Sequence, residues 1–154
     1  MKLKRKTNIF SLLILVIASA CQTDDPQPTL RTTEEMIIAQ VNDFRQQNGL
    51  PVLIKNNSCR DIALGHSIDM AEGYLPLGHD GLEERQSKAS QEIGALSAGE
   101  MVASNFWTAE SVVESWLNNP ALRKTIEGDF TDIGVGIAED AHGNRFYTQF
   151  LIKR

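Results

Sequence analysis

The chain has 154 residues, 42% hydrophobic and 23% charged, with 15 basic residues against 20 acidic ones. Without the basic leader described next, 11 bases face 20 acids, a charge of about −9 with no basic run, which disfavours nucleic acid and anionic headgroups as electrostatic partners. Two cysteines give no disulfide framework, and the remaining roughly 125 residues suit one domain that buries about two thirds of its unfolded surface.

Lys2, Lys4, Arg5 and Lys6 precede an apolar run from Ile9 to Ala20, the basic and hydrophobic regions of a secretory signal over residues 1–20. The run is roughly a dozen residues, short of the about 20 that cross a bilayer, so it reads as an export signal rather than a span. Ala18-Ser19-Ala20-Cys21 resembles the lipobox of bacterial lipoproteins, which implies acylation of Cys21 and attachment to the envelope, with the outer membrane the expected place. Ala18-Ser19-Ala20 alone also suits ordinary cleavage, which would give a soluble secreted or periplasmic protein. Residues 21–32, with Pro26 and Pro28 among polar side chains, read as a tether. Asp24 and Asp25 look like the acidic export cue of surface lipoproteins, or are simply an acidic linker. Residues 33–154 are then the folded domain.

Thr32-Thr33-Glu34-Glu35 predicts a helix start, with Ile37, Val41 and Phe44 on one face and Gly49-Leu50-Pro51 as its stop. After an extended Val52 to Ile54, Ser58 and Asp61 stand at capping distance for a second helix. Cys59, Ile62, Ala63, His66 and Met70 form one stripe on it and Leu64, Ile68 and Ala71 another, which predicts packing on two sides. Cys59 reads as a small buried hydrophobe, able to pair with Cys21 only if Cys21 is free. Pro76, Gly78 and Gly81 place His79 in a loop, and the polar stretch from Glu83 to Glu92 reads as a short helix. Thr108 caps a helix with Ala109, Val112, Val113, Trp116 and Leu117 on one side. Pro120 marks its end, and Leu122 and Ile126 supply a further apolar turn.

The period then changes to two. Ile133, Val135 and Ile137 alternate, Asp140-Ala141-His142-Gly143 turns, and Phe146, Thr148, Phe150 and Ile152 alternate on the return, which is a β-hairpin. Helices followed by a closing hairpin argue for an α+β fold around an antiparallel sheet.

Val41-Asn42-Asp43-Phe44-Arg45, Leu64-Gly65-His66-Ser67-Ile68-Asp69-Met70-Ala71, Gly78-His79-Asp80, Gly99-Glu100-Met101-Val102-Ala103, Val113-Glu114-Ser115-Trp116-Leu117, Arg123-Lys124 and Ile133-Gly134-Val135-Gly136 occur in an order and spacing that resembles bacterial CAP domains. These are the cysteine-rich secretory, antigen 5 and pathogenesis-related proteins. The resemblance spans about Glu34 to Lys153 and implies a three-layer α/β/α sandwich, secreted or surface-displayed, with a shallow cleft. In the family that cleft holds two histidines and two acids proposed to bind a divalent metal. His79 matches the first histidine and Glu100 the first acid. The second acid falls near Asn119 and the second histidine at Leu122, and Glu114 points away from the face that would be needed.

The resemblance therefore implies a ligand cleft of His79, Glu100, Asn119 and Leu122 with one imidazole and one carboxylate. That is a poor zinc cage, because zinc takes about four ligands with three from protein at a catalytic site. His79 is the metal candidate, zinc is disfavoured by Leu122, and no cofactor is expected. His79 and Glu100 are also the catalytic candidates, as a general acid and base, but no Ser or Cys stands ready as nucleophile. The leading expectation is a non-enzymatic, envelope-anchored module that binds a small apolar molecule, a glycan or an envelope protein, and meets the membrane only through its lipid. The alternative is a metal-assisted peptidase-like or esterase-like hydrolase using His79, Glu100 and a further ligand such as Asp80. A ligand-free spacer is the third. His66 reads as a satisfied interior histidine, His142 as exposed, Trp116 as core, and Trp107 as either a staple at the helix start or the lining of a surface groove.

Overall fold

The computed structural model describes residues 29–154. The expected signal (1–20), Cys21 and the tether as far as residue 28 lie outside the described residues.

The first helix, α1 (Leu30–Gln47), buries Ile37, Ile38 and Val41. Its cap is Thr29, whose side chain accepts from the Thr32 amide, so the helix begins before the Thr32-Thr33 pair expected to cap it and includes residues 30–32, expected in the tether. A two-residue β1 (Ile54–Lys55) leads into α2 (Asn57–Ala71). There Asn56, not Ser58, is the cap: its side-chain oxygen accepts from the Ser58 and Cys59 amides at 3.0 and 3.2 Å. Asparagine caps as well as serine, and it stands two residues nearer the strand. The polar α3 (Leu82–Ile93) buries only Ala89.

Next come β2 (Ser97–Ser104), α4 (Ala109–Asn118) and α5 (Pro120–Ile126). Thr108 and Ser111 close a capping box at the start of α4. Pro120 does more than end α4: it is the first residue of α5, where its missing amide costs nothing. The chain closes with β3 (Asp132–Glu139) and β4 (Arg145–Lys153), the expected hairpin.

The four strands lie in the order β1-β3-β4-β2. The sheet is mixed rather than purely antiparallel, since β1 pairs parallel to β3 while β3, β4 and β2 run antiparallel. On one face, α1 and α4 meet Ile133, Val135 and Ile137 of β3, Tyr147 and Leu151 of β4, and Met101 and Ala103 of β2. On the other, α2 lies across β3 and β4, with Cys59, Ile62 and Ala63 against Phe150 and Ile152. This is the three-layer sandwich.

Helix α2 packs on the sheet and, beside it, against α3, and its second apolar stripe is not buried. Leu64 and Ala71 are half-buried and Ile68 is exposed, whereas Ser67 is fully buried. The Ser67 hydroxyl donates to the Gly136 carbonyl at 2.9 Å and meets the Thr148 hydroxyl at 2.9 Å. The contact is close because Gly134 and Gly136 present no Cβ to the helix; an added Cβ at either would run into the backbone of Arg60 or Leu64. The second apolar stripe therefore has no layer to meet.

Candidate functional site

Strand β2 is an edge strand, and its alternation sends Met101 and Ala103 into the α1–α4 core. Glu100 therefore points to the other face, toward α2 and α3, and its side chain is fully buried. A buried carboxylate must be paired or hydrogen-bonded, and three side chains meet this one, from α2, from α3 and from the loop between them.

Arg85, in the first turn of α3, grips it with both arms: Nε donates to Oε2 at 2.6 Å and Nη2 to Oε1 at 2.7 Å. His79 donates from Nδ1 to Oε1 at 2.9 Å. His66 of α2 brings Nε2 to 3.8 Å from Oε1, but that nitrogen is engaged at 2.8 Å with the Gly78 carbonyl. A carbonyl only accepts, so Nε2 carries the proton. The His66 Nδ1 is buried without a protein partner, so this interior histidine is half satisfied rather than fully so.

The loop between α2 and α3 is shaped to deliver these groups. Tyr74 and Leu75 amides both bond the Asp69 carbonyl at the end of α2, and the Leu82 amide bonds the His79 carbonyl. Gly81, at φ 76°, makes the left-handed entry into α3, a conformation that side chains disfavour. Arg85 then spends its third arm, Nη1, on the Asp80 carbonyl at 2.8 Å. One guanidinium thus ties the loop, the helix and the strand together.

Of the residues expected to share a cleft, the structure brings together His79 and Glu100. Asn119 instead caps α5, its side-chain oxygen accepting from the Ala121 amide at 3.0 Å. Leu122 is half-buried and packs against the α1–α4 core cluster. The surface depression that His79 borders is lined by Asp80, Gly81, Leu82, Glu83 and Glu84, without Asn119 or Leu122. Leu122 packs against the core, and it does not line that depression. His142 is exposed, Trp116 is core with its Nε1 donating to the Val102 carbonyl, and Trp107 is 64% exposed with Arg145 over its ring. Glu114 is exposed, and Asp80 meets Arg85 through its carbonyl, not its carboxylate.

These facts decide what the centre can do. Both oxygens of Glu100 already accept from donors, and the carboxylate has no exposed surface. It presents no lone pair to a substrate for general-base work. His79 alone is accessible, with its side chain 48% exposed and its Nε2 unbound. The metal implied by the resemblance does not fit. A divalent ion at Glu100 would have to displace a bidentate guanidinium, and among the described residues no three His, Cys, Asp or Glu side chains stand together as a metal-holding group. Asp80 does not make up the set. Arg85 was not singled out in the sequence because it sits in a polar helix that looks wholly solvated; the one cue was that an acid in a strand needs a cation.

Comparisons with known proteins agree with this architecture. The sequence model of the CAP family, described as the cysteine-rich secretory protein family, matches residues 38–150. A membrane protein of Bacillus subtilis, YlbC, is 31% identical over 128 residues, covering 80% of this chain and 35% of that one. The chain thus spans about a third of the length of that relative. Among solved structures, an extracellular SCP-domain protein from Bacillus anthracis is 28% identical with a TM-score of 0.71, over 80% of this chain and 41% of that one. An outer surface protein of Borrelia burgdorferi shares the fold at 18% identity with a TM-score of 0.72, over 82% of this chain and 96% of that one.

Proposed function

The chain belongs to the cysteine-rich secretory protein (CAP) family, and from that premise we propose that it works outside the cell as a binding or interaction module rather than as a hydrolase. The observation that carries this reading is the closure of Glu100, whose two oxygens are held by Arg85 and His79 at 2.6 to 2.9 Å. Hydrolysis needs a base or an activated water that reaches the substrate, and the carboxylate here is spent on structure. The extracellular and outer-surface relatives support export. Within this reading Cys21 carries the lipid that keeps the domain at the envelope, and the partner is a glycan, a small apolar molecule or an envelope protein that meets the exposed His79 edge.

The test is turnover. Purified protein incubated with peptide and ester substrates should show no hydrolysis above background, and His79→Ala should change partner binding or thermal stability alone. Reproducible hydrolysis that disappears in His79→Ala would overturn the reading. Mass spectrometry of the mature N-terminus addresses the anchor separately: an acylated Cys21 supports it, and a free Cys21 thiol removes it.

A further inference from the structure

We propose that the groove between α1 and α4, on the face of the sheet away from Glu100, docks a short basic segment of a partner protein in which cationic side chains alternate with aliphatic ones. The inference goes beyond the proposed function, because it concerns another face of the molecule and holds whether or not the His79 edge binds anything.

The groove has an apolar floor and acidic lips. Phe44 of α1 and Leu117 of α4 are half-buried, and with the buried Val113 they carry the core outward between the two helices. Asp43 lines it from α1 and Glu110 and Glu114 from α4, all three exposed. The other lining residues are side-chain amides, so no basic residue lines it. Glu110 accepts from the neutral Gln40 amide at 3.2 Å, and Asp43 and Glu114 have no hydrogen-bond or ion-pair partner among the described residues. Arg123 lies over the Phe44 ring at 5.1 Å, but its charge is paired with Glu127.

Elsewhere on the surface the fold neutralises its acids: Glu35 takes Lys55, Glu139 takes Arg145 and Asp129 takes Lys153. Here it does the reverse. Glu110 and Glu114 stand four residues apart on one helix, a like-charge spacing that costs α4 stability, so folding gains nothing from it. A cationic partner would supply the missing charge. The α4 lip from Glu110 to Asn118 runs about 12 Å at the helical rise, the length of about four extended residues. Lysine and arginine lay their methylene stems on apolar surface while their heads reach outward, which suits a floor of Phe44, Val113 and Leu117 between carboxylates. The lining amides carry both donors and acceptors for a peptide backbone. An anionic amphiphile would bring its head group against three carboxylates, so the local field selects against it.

Calorimetry and NMR titration with capped synthetic peptides test the docking. Acetyl-Lys-Leu-Lys-Leu-Lys-amide should bind the native protein more tightly than about millimolar, shift the amide signals of Phe44, Val113 and Leu117, and weaken as salt is added. Acetyl-Lys-Gly-Lys-Gly-Lys-amide keeps the charge without the apolar side chains and should bind at least about tenfold more weakly. Asp43→Asn combined with Glu114→Gln should weaken the leucine peptide at least about tenfold without lowering the melting temperature, since neither carboxylate holds a partner in the fold. Glu83→Gln combined with Glu92→Gln removes two acids from the α3 surface, where no apolar residue lines the depression, and should leave the affinity unchanged. Three results would each overturn the proposal. The first is no binding of the leucine peptide at millimolar concentration. The second is an equal loss from the two double variants, which is general attraction to an acidic protein. The third is oleate, and not the peptide, shifting the same signals, which makes the groove a lipid site. None of them touches the turnover assay, and hydrolysis lost in His79→Ala would leave the peptide affinity standing, so the two readings fall separately.

Discussion

Each of the three buried carboxylates in the described residues has its own arginine. Glu34 takes Arg60 through Nε at 2.6 Å and Nη2 at 3.1 Å, Glu100 takes Arg85, and Asp132 takes Arg154 through Nη2 at 2.7 Å. Such pairs contribute little net stability relative to an apolar replacement, but losing one partner strands a charge and costs about 3–5 kcal/mol. Exposed pairs such as Lys153 with Asp129 are worth at most about 1 kcal/mol. Glu100 follows the structural rule and adds two imidazoles to it, which is what marks it out. Arg45 is the converse case, a buried cation with no carboxylate in contact. Its donors go to the carbonyls of Pro51, Ile126 and Gly128, and burial lowers its pKa. It thereby clips the end of α5 to α1. Cys59 is a free buried thiol whose pKa is pushed up to about 12, first by burial and then by Asp132. Its thiolate is scarce at neutral pH, so it behaves as the small hydrophobe its place in the α2 stripe implies.

At the scale of elements, the seating of α2 on β3 matters most, because α2 carries His66 and leads into the His79 loop. Gly134 and Gly136 permit it: an added Cβ would enter the helix backbone itself, which cannot yield as a flexible side chain can. Gly136→Ala should therefore cost at least about 3 kcal/mol, beyond ordinary overpacking. Gly65→Ala, on the open face of the same helix with nothing within 4 Å of the new Cβ, should instead stabilise by about 0.5–1 kcal/mol. Urea denaturation of both variants checks the pair, and equal effects of the two would show that α2 does not rest on bare strand backbone. The helices and the hairpin were legible in the sequence because Ile37 and Val41, Val112 and Trp116, and Ile133 and Val135 repeat at periods that each element imposes. Strand β2 was less so, since Glu100 and Met101 put a charge and a core residue side by side on an edge. Arg85 was illegible for a related reason. Periodicity reports which side chains avoid water, not which cation a buried acid will choose, and a basic residue in a polar helix looks the same whether it faces solvent or grips a strand. Leu122 stands in the expected cleft only because the resemblance puts the family's second histidine there, whereas its place with Ile126 on an apolar turn after Pro120 points to the packing against the α1–α4 core that it makes.

For the molecule as a whole, acid should be the condition that separates the layers, and Asp132 is where to observe it. It opens β3, holds the α2 cap Asn56 through Nδ2 at 3.0 Å, accepts from Thr131 at 2.6 Å, and binds Arg154 beyond β4. Burial on its own would raise its pKa, but the hydrogen bonds from Asn56, Thr131 and Arg154 and the charge of Arg154 together hold it below the usual carboxylate range. A carboxylate whose pKa is lower folded than unfolded adds stability above the unfolded value of about 3.9. That contribution falls away as pH drops from there through the folded pKa, because the unfolded chain then binds the extra proton. Asp132→Asn removes the charge while keeping the shape. At pH 7 the variant should be less stable by on the order of 2 kcal/mol, the worth of hydrogen bonds to a buried charged group. At pH 3 the gap should narrow, because the native carboxylate is by then losing the same advantage. Urea midpoints for both proteins at the two pH values make the comparison, and a gap that stays constant would mean that the ionised form of Asp132 does not join strand, helix cap and C-terminal arginine in the way its contacts imply.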